Sequence, residues 1–529
     1  MRKVLLYICS VFILGGMTSC EDFLDKREDV GLTEDDIFRD YYSLRGFLDQ
    51  SFNQLENVMV MDNWENGRAF VGLFADEMAT TDNSSAVFTL HSGNWLSNAK
   101  SNKTFEIGNA GSTAISRSYK ALRINNRIIN DIDKAPLTPE QKNEILGQAY
   151  FYRSWFYFQI IKRYGGMPII DKVFEGGDDD IPRMTYHESH DWMMEDIQKA
   201  IYMLPDSWDD PNYGRPTKIA AMALKEWAQL FDASPLMQNN LNSTENKGYD
   251  TERAKSAAKS AYEVIRYMDG SKSAPYPYGL ASKEEYTNVF YFKYPPVHQP
   301  EYIWVKRQFP NAANQNQKRT IRTFWQYEDL AFGSGPDGNS MCCPSLNIVN
   351  MFDKKGADGI YYPIDDPRSG YALDYDHKPF EDRDPRFYNN ILLPGTTWGH
   401  YADGRTYYIT TYKGGAAYQH MLTQKDCNKR MFTGFMCKKF MWPECNQYLE
   451  KNNPNCWWDY RFLTIYIRAS QIYLDYAEAL FEGCGSATAT IEGCPISAAE
   501  AINILRRRIG LTDLPSDIVA DPDKFRAAY

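Results

Sequence analysis

A long helical pattern between Thr138 and Gly166 constrains the fold of this chain more than any other feature. The segment reads TPEQKNEILGQAYFYRSWFYFQIIKRYGG. Thr138 is a predicted N-cap, and Gln141 stands three residues later, as in a capping box. Gly165 and Gly166 end the pattern. Apolar residues recur at helical spacing, namely Ile145, Ala149, Tyr152, Phe156 and Ile160. A helix of this length needs other helices around it, so the sequence predicts a helical body.

Amphipathic patterns of the same period occur in seven further stretches: residues 34–56, 112–132, 186–203, 216–232, 251–268, 466–482 and 497–508. Small residues on one face allow close helix packing, as in Ala220, Ala221, Ala223 and Ala228. Paired helices of this kind are typical of tetratricopeptide-like repeats. We therefore predict a mainly α fold, in which Trp155, Trp192 and Trp227 stand at core spacing and serve as packing residues.

Residues 269–465 differ in composition from the helical stretches. They are rich in Gly, Pro, Asn, Asp and aromatic residues and contain few long periodic runs. We predict a loop-rich region that carries short strands. Long loops on a rigid scaffold often carry function.

The N-terminus predicts export and lipid attachment. Arg2 and Lys3 precede a short apolar run, and small residues then lead to Cys20, as in a bacterial lipobox. We predict a signal peptide over residues 1–19 and lipidation of Cys20; the alternative is an ordinary signal peptide cleaved nearby. The acidic pair Glu21-Asp22 favours surface exposure, the alternative being a solvated tether. Removing Arg2 and Lys3 changes the net charge from −11 to −13, which argues against nucleic-acid binding.

Apparent catalytic and metal motifs lack a supporting context. The glycine-rich stretch 333–338 contains Pro336 and does not open a helix. His187 and His190 lack zinc-protease spacing and fit the polar start of a helix. Asp374 and Asp376 lack a full calcium-binding loop. We therefore predict no enzymatic activity, no catalytic residue, no metal and no cofactor.

Eight cysteines remain after Cys9 in the leader and Cys20 are set aside, an even number in an exported chain. Three pairs lie ten or eleven residues apart: Cys427/Cys437, Cys445/Cys456 and Cys484/Cys494. Structural disulfides fit this pattern, whereas free buried thiols are the alternative. The spacing does not determine the connectivity.

Several motifs in order resemble the RagB/SusD family of Bacteroidetes outer-membrane lipoproteins. They are the start at Cys20-Glu-Asp-Phe-Leu-Asp, the helix from Gly147-Gln-Ala-Tyr-Phe-Tyr-Arg to Tyr164-Gly-Gly-Met-Pro168, Gly214-Arg-Pro-Thr with Ala233-Ser-Pro235, Arg383-Asp-Pro-Arg386 with Thr433-Gly-Phe and Lys438-Lys-Phe440, and Tyr476-Ala-Glu-Ala479 with Asn503 and Arg506. The resemblance covers almost the whole chain. The family pattern continues beyond the helix that begins near Asp521, so we expect the C-terminal helices to be incomplete at Tyr529; the alternative is a short member of the family.

The resemblance implies a SusD-like domain over residues 20–529 with about four helix–turn–helix units. Residues 20–268 would form its N-terminal helical part, 269–465 a loop-rich insertion and 466–529 its C-terminal helices. It also implies a lipid-anchored protein of the outer membrane, exposed at the cell surface. Such a protein holds a glycan and acts as the lid of a SusC-like TonB-dependent transporter.

Two loop regions offer the chemistry that a sugar requires, since a sugar ring stacks on aromatic rings and its hydroxyls bond polar side chains. The first runs from Asp76 to Ser112 and contains Asn94 and Trp95. The family commonly carries a binding Trp in this loop, so Trp95 is the first candidate. The second loop spans residues 319–339 and, by the same resemblance, supplies a second aromatic residue. The binding candidates in this loop are the aromatic residues Trp325 and Tyr327 and the polar residue Arg322.

Weaker aromatic candidates are Trp398, Tyr401, Trp457 and Trp458. For every aromatic candidate the alternative is packing beneath its loop. Three other functions remain open at this stage. They are a peptide or glycopeptide binder of the same family, a glycosidase, and a helical scaffold that contacts only its transporter.

Overall fold

The computed structural model describes residues 33–55, 75–79, 114–174, 180–238, 247–273, 276–290, 299–307, 343–374, 376–400, 406–415, 433–439 and 463–529. Its α-helices are α1 Glu34–Phe38, α2 Tyr41–Gln54, α3 Ala114–Asp131, α4 Pro139–Tyr164, α5 Tyr186–Met203, α6 Lys218–Ala233, α7 Thr251–Gly270, α8 Leu346–Asn350, α9 Pro385–Asn390, α10 Ala469–Cys484, α11 Ala498–Arg508, α12 Ser516–Ala520 and α13 Pro522–Arg526. The mainly α class is thereby confirmed.

The eight long helices pack in succession. Each long helix contacts the next one: α2 contacts α3, and the same holds in turn through α4, α5, α6 and α7. Helix α7 then contacts α10, and α10 contacts α11. Four consecutive pairs follow from this order: α2/α3, α4/α5, α6/α7 and α10/α11. The arrangement agrees with the predicted helix–turn–helix body.

The central helix α4 forms as its local sequence predicts. Thr138 and Gln141 make the reciprocal capping box, and Pro139 is the first helical residue. Gly165, with φ of 78°, closes the helix through a bond from its N–H to the Ile161 carbonyl of 2.9 Å. A Cβ on Gly166 would lie 2.2 Å from the Met184 carbonyl oxygen. Only glycine, which has no Cβ, fits at this position beside the backbone of Met184.

Small residues let the helices approach each other. Ala220, Ala221, Ala223 and Ala228 on α6 are all fully buried, as the sequence predicts. Gly483 on α10 faces Thr251 at the start of α7, where a Cβ would lie 3.2 Å from the Thr251 carbonyl oxygen. Close packing of this kind brings the backbones of neighbouring helices together.

Aromatic residues join the helices to the sheet. The Trp155 ring on α4 lies 4.7 Å from Trp304 and 6.0 Å from Trp227, measured between centroids. Tyr466 stacks against Trp304 at 4.7 Å. Trp155, Trp192 and Trp227 all belong to this core or pack against it, so their predicted packing role is confirmed.

The strands are short and pair two by two. They are β1 Met78–Ala79, β2 Tyr302–Arg307, β3 Cys343–Pro344, β4 Lys354–Lys355, β5 Tyr361–Tyr362, β6 Ile391–Leu392, β7 Thr397–His400, β8 Thr406–Tyr408, β9 Met436–Cys437 and β10 Leu463–Arg468. The antiparallel pairs are β1–β3, β2–β10, β4–β5, β6–β9 and β7–β8. Most of them lie within residues 269–465, where the sequence predicts short strands.

Two predicted helix boundaries were wrong. The stretch 34–56 divides at Asp40, whose side chain accepts a 2.8 Å bond from the Ser43 N–H and starts a second helix. The stretch 466–482 begins as a strand, because residues up to Arg468 pair with β2 and the helix starts only at Ala469.

Cys484 and Cys494, one of the three closely spaced pairs, form no disulfide, since both are free thiols; the predicted structural disulfides are therefore wrong for these two residues. Backbone bonds close this loop instead: Cys494 N–H donates to the Ile491 carbonyl, and Ala499 N–H donates to the Ala487 carbonyl, both at 2.9 Å. Cys427 and the pair Cys445/Cys456 lie outside the described residues.

Candidate functional site

The ladder between β1 and β3 connects the two predicted sugar-binding loops. Ala79 stands opposite Cys343 in an antiparallel register. Ser345 extends the contact, because its N–H donates to the Glu77 carbonyl at 3.0 Å and its hydroxyl donates to the Asp76 carbonyl. The same hydroxyl accepts a 3.2 Å bond from Ile348 N–H and caps α8. The first residues of α8 therefore fix the position of the ladder.

The antiparallel register fixes where the two loops begin. The chain that follows Ala79 and the chain that precedes Cys343 leave the ladder at the same end. Trp95 comes 16 residues after Ala79, and Tyr327 comes 16 residues before Cys343. The register therefore brings together two points of the chain that lie 264 positions apart in sequence (343 − 79), each next to one of the predicted loops.

Of the predicted binding residues, the structure describes Asp76, which is exposed in the turn before β1. The other five sugar-binding candidates and the lipidation site lie outside the described residues, namely Asn94, Trp95, Arg322, Trp325, Tyr327 and Cys20. Their roles stay predictions, as do the domain limits. What the structure adds is the common origin of their loops.

A packed layer lies beneath the ladder. β9 contacts β3, and burial raises the pKa of the Cys437 thiol on β9 to about 12. The nearby ammonium of Lys439 lies 4.6 Å from the centroid of the Phe290 ring. Burial lowers its pKa to about 8. The base of the site is therefore fixed by packing, and its thiol is kept protonated.

The Arg383-Asp-Pro-Arg386 motif stabilises the segment that contains α8 and α9. The Arg383 side chain is 1% exposed and donates to the carbonyls of Val349 at 2.6 Å and Phe352 at 2.7 Å. Asp384 caps α9 by accepting a 2.8 Å bond from Arg386 N–H, and its carboxylate pairs with the Arg386 guanidinium at 2.6 Å. These contacts give the motif a structural role.

Two exposed tyrosines near this layer were missed by the sequence analysis. Tyr408 on β8 and Tyr412 just after it are 47% and 46% exposed. Their hairpin follows β6, the partner strand of β9. The alternating run Thr406-Tyr-Tyr-Ile-Thr-Thr-Tyr before Gly414 is the signal that could have identified them.

Of the four weaker aromatic candidates, the structure describes Trp398. Trp398 is only 9% exposed, and the Lys438 ammonium lies 5.0 Å from the centroid of its ring. It is a packing residue, which is the alternative stated for it above. Tyr401, Trp457 and Trp458 lie outside the described residues.

The histidine pair lies in the helical body and ties helices together. His187 Nδ1 is 2.7 Å from an oxygen of Asp232, and His190 Nδ1 is 3.6 Å from the other. Arg253 of α7 pairs with the same carboxylate. Both histidines stand in the first turns of α5, after the Thr185 capping box, as predicted. This Asp232 cluster joins α5, α6 and α7.

Asp374, one of the two acidic candidates for calcium, bonds a neighbouring histidine. Asp374 accepts a 3.0 Å bond from His377 N–H and lies 2.6 Å from His377 Nδ1. Within the described part of the chain, no group of His, Cys, Asp or Glu residues has the arrangement that a metal ion needs. Among the same residues, none of the helices combines the length and the apolar character that crossing a membrane requires.

Comparisons with known proteins agree with the geometry. A family model described as "Starch-binding associating with outer membrane" matches residues 22–226, and one described as "SusD family" matches residues 300–527. No curated protein matches the sequence significantly.

Solved structures share the fold. A SusD-like protein from Bacteroides fragilis is 22% identical with a TM-score of 0.65, covering 94% of this chain and 83% of its own. A SusD-like carbohydrate-binding protein from the same organism is 18% identical, with a TM-score of 0.63 and coverages of 93% and 84%. A laminarin-binding SusD-like protein is 17% identical, with a TM-score of 0.51 and coverages of 90% and 85%.

Proposed function

The chain belongs to the SusD family, and from this we propose that it captures an oligosaccharide or polysaccharide at the cell surface. It is anchored in the outer membrane through a lipid on Cys20. It delivers the glycan to a SusC-like TonB-dependent transporter and acts as the lid of that transporter. Support comes from the family, which is one of carbohydrate-binding proteins, and from similar structures described as binding carbohydrate or laminarin.

The β1–β3 ladder is the observation that carries this proposal. The chain after Ala79 and the chain before Cys343 leave it at the same end, and loops 76–112 and 319–339, which lie next to these points in the sequence, each contain a Trp with polar neighbours. A sugar held between them stacks its C–H faces on Trp95 and Trp325, while Asn94, Asp76 and Arg322 bond its hydroxyls. Tyr327 adds a third ring.

We propose binding without cleavage. The carboxyl groups with the most strongly raised pKa values are those of Glu226 and Asp475, and burial is the first cause in both cases. They lie on α6 and α10 in the helical body, whereas the proposed sugar site lies at the β1–β3 ladder. A glycosidase would need a pair of carboxyl groups on either side of the bound sugar.

Truncation of the two tryptophans tests the proposal. A glycan and glycopeptide array first identifies what the leaderless chain binds, and a peptide-only result would contradict the proposal. Trp95→Ala and Trp325→Ala should each cost about 1–3 kcal/mol of binding, roughly ten- to a hundredfold in affinity. Calorimetry measures the affinity, and overnight incubation should leave the glycan chain length unchanged.

A matched control is Tyr202→Ala, because this tyrosine is 83% exposed on α5. It should leave glycan affinity unchanged. Thermal melts of all three variants complete the test. Unchanged affinity with a sharply lowered Tm for the tryptophan variants would mean that these rings pack in the core.

A further inference from the structure

A cavity of about 50 Å³ lies between the start of α6 and the strand β2. Trp208, Tyr276 and Tyr278 form its aromatic walls, and Thr217 and Gln299 contribute polar groups. All three aromatic side chains are partly exposed. None of the lining residues belongs to loops 76–112 or 319–339. The described lining residues thus come from other elements than the β1–β3 ladder.

The walls of the cavity are held in place before any ligand binds. Trp208 Nε1 donates to the Pro216 carbonyl at 2.8 Å. Trp304 Nε1 donates to the Gly214 carbonyl at 3.2 Å. Gly214 has φ of +100°, and a Cβ there would lie 3.2 Å from the Val305 carbonyl oxygen. The glycine of this motif thus lets the loop pass close to β2, and the site is preorganised.

Two buried polar atoms of the cavity lack a partner. The Thr217 hydroxyl and the Gln299 side-chain carbonyl oxygen make no hydrogen bond among the described residues. Thr217 is only 7% exposed, and as the N-cap of α6 it makes no capping bond. It lies near the Tyr278 hydroxyl without forming a hydrogen bond. Because buried polar atoms are normally satisfied, these two point to a partner from outside the chain.

The charge around the cavity favours a neutral partner. Arg215 also lines it, but its guanidinium is paired with Asp49 at 2.7 Å and donates to Gln148 at 3.0 Å. The volume corresponds to roughly three to five water molecules. It therefore accepts the hydroxyl-bearing edge of one sugar ring, while the ring face rests on the aromatic walls.

We propose that this cavity is a second saccharide-binding site, which takes the edge of a single neutral sugar residue. The inference rests on the proposed function, since it assumes a chain that meets glycans. Sugar hydroxyls replace water as partners of Thr217 and Gln299, and Tyr276 or Tyr278 supplies the stacking surface. A polysaccharide bound at the loops gains a second contact here, which raises its apparent affinity.

Saturation-transfer NMR tests the second site in a chain whose first site is disabled. The double variant Trp95→Ala/Trp325→Ala is mixed with D-glucose, D-galactose, D-mannose or D-xylose at millimolar concentration. At least one sugar should still give a signal. Adding Thr217→Val or Gln299→Met should reduce that signal at least fivefold, because each change removes a polar atom and keeps the side-chain volume.

The matched control is Thr488→Val, an exposed threonine in the loop after α10, which should leave the signal unchanged. Thermal melts should show that Thr217→Val folds normally, since its hydroxyl makes no bond in the chain. A signal that survives both cavity variants would overturn the second site. So would loss of all binding in the double tryptophan variant, a result that leaves the proposed function intact. Failure of the unmodified chain to bind any glycan would instead remove both proposals.

Discussion

Glu226 is fully buried on α6. It faces Asp475 and Glu478 of α10. Burial, followed by the charges of these two residues, raises the pKa of Glu226 well above its usual value. Burial likewise raises the pKa of Asp475 to about 7, although Gln471 donates a 3.2 Å bond to it. The helical body therefore holds bound protons near neutral pH.

This cluster makes stability depend on pH. An unfolded glutamate ionises near pH 4.5, whereas folded Glu226 holds its proton to higher pH. The folded state thus binds more protons, so the free energy of unfolding falls as pH rises above about 4.5. Glu226→Gln should remove part of this fall and stabilise the chain at pH 7.5 by on the order of 1 kcal/mol or more.

Urea denaturation at pH 5.0 and 7.5 measures this effect. The variant should have a higher midpoint than the unmodified chain at pH 7.5 and a similar one near pH 5.0. Glu284→Gln, at an exposed position, serves as the control and should change neither value. If Glu226→Gln destabilises the chain equally at both pH values, the ionised carboxylate has a stabilising partner and the interpretation is wrong.

At the scale of elements, one buried arginine ties three helices together. Arg153 on α4 is 4% exposed and bonds Asp196 on α5 through two nitrogens, at 2.6 and 2.8 Å. It also donates to Asn126 on α3 at 3.0 Å. Asn126 in turn donates to the Ile170 carbonyl at 2.9 Å. The helices α3, α4 and α5 and the segment between α4 and α5 are thus fastened at one point.

Arg153→Met should cost about 3–5 kcal/mol of stability, because it leaves the Asp196 carboxylate buried without its main partner. Arg153→Met/Asp196→Leu should recover most of that loss, since the unpaired charge is then gone. Lys272→Met removes an exposed pair with Asp269, 73% and 59% exposed, and should cost less than about 1 kcal/mol. Urea unfolding of the unmodified chain, Arg153→Met, Asp196→Leu and the double variant measures the coupling, and additive losses would contradict it.

At the scale of the whole molecule, the chain combines a packed helical body with short two-stranded ladders that lie next to the predicted loops in the sequence. Glu301 pairs with Arg468 of β10 at 3.1 Å and with Arg508 of α11 at 2.9 Å. It therefore connects the strands β2 and β10 to the last helix pair. The body thus supports the ladders beside which the predicted loops lie in the sequence.

Lipid attachment is tested in the native host. Cys20→Ala should move the protein from the membrane fraction to the soluble fraction and abolish labelling with palmitate, because no acyl chain then holds it. Cys9→Ala, in the leader, is the matched control and should remain membrane-bound. A Cys20→Ala protein that stays in the membrane and still incorporates palmitate would disprove the lipobox.

The sequence by itself determined the helical body. The capping box at Thr138, the glycines after Tyr164 and the apolar period of α4 lie within a few turns of one another, so local patterns suffice to predict the helix. The same holds for the packing role of Trp155. Together with the ordered motifs, such signals also indicated the family.

Only the tertiary structure decided the features that depend on distant residues. The segment from Leu463 to Arg468 is a strand because β2 pairs with it, and the free thiol of Cys494 follows from a loop closed by backbone bonds. The pKa of Glu226 depends on a carboxylate that lies 249 positions away (475 − 226). Likewise, Ala79 meets Cys343 across 264 positions. Long-range pairing and burial of this kind leave no local pattern, because the contacting residues share no stretch of chain.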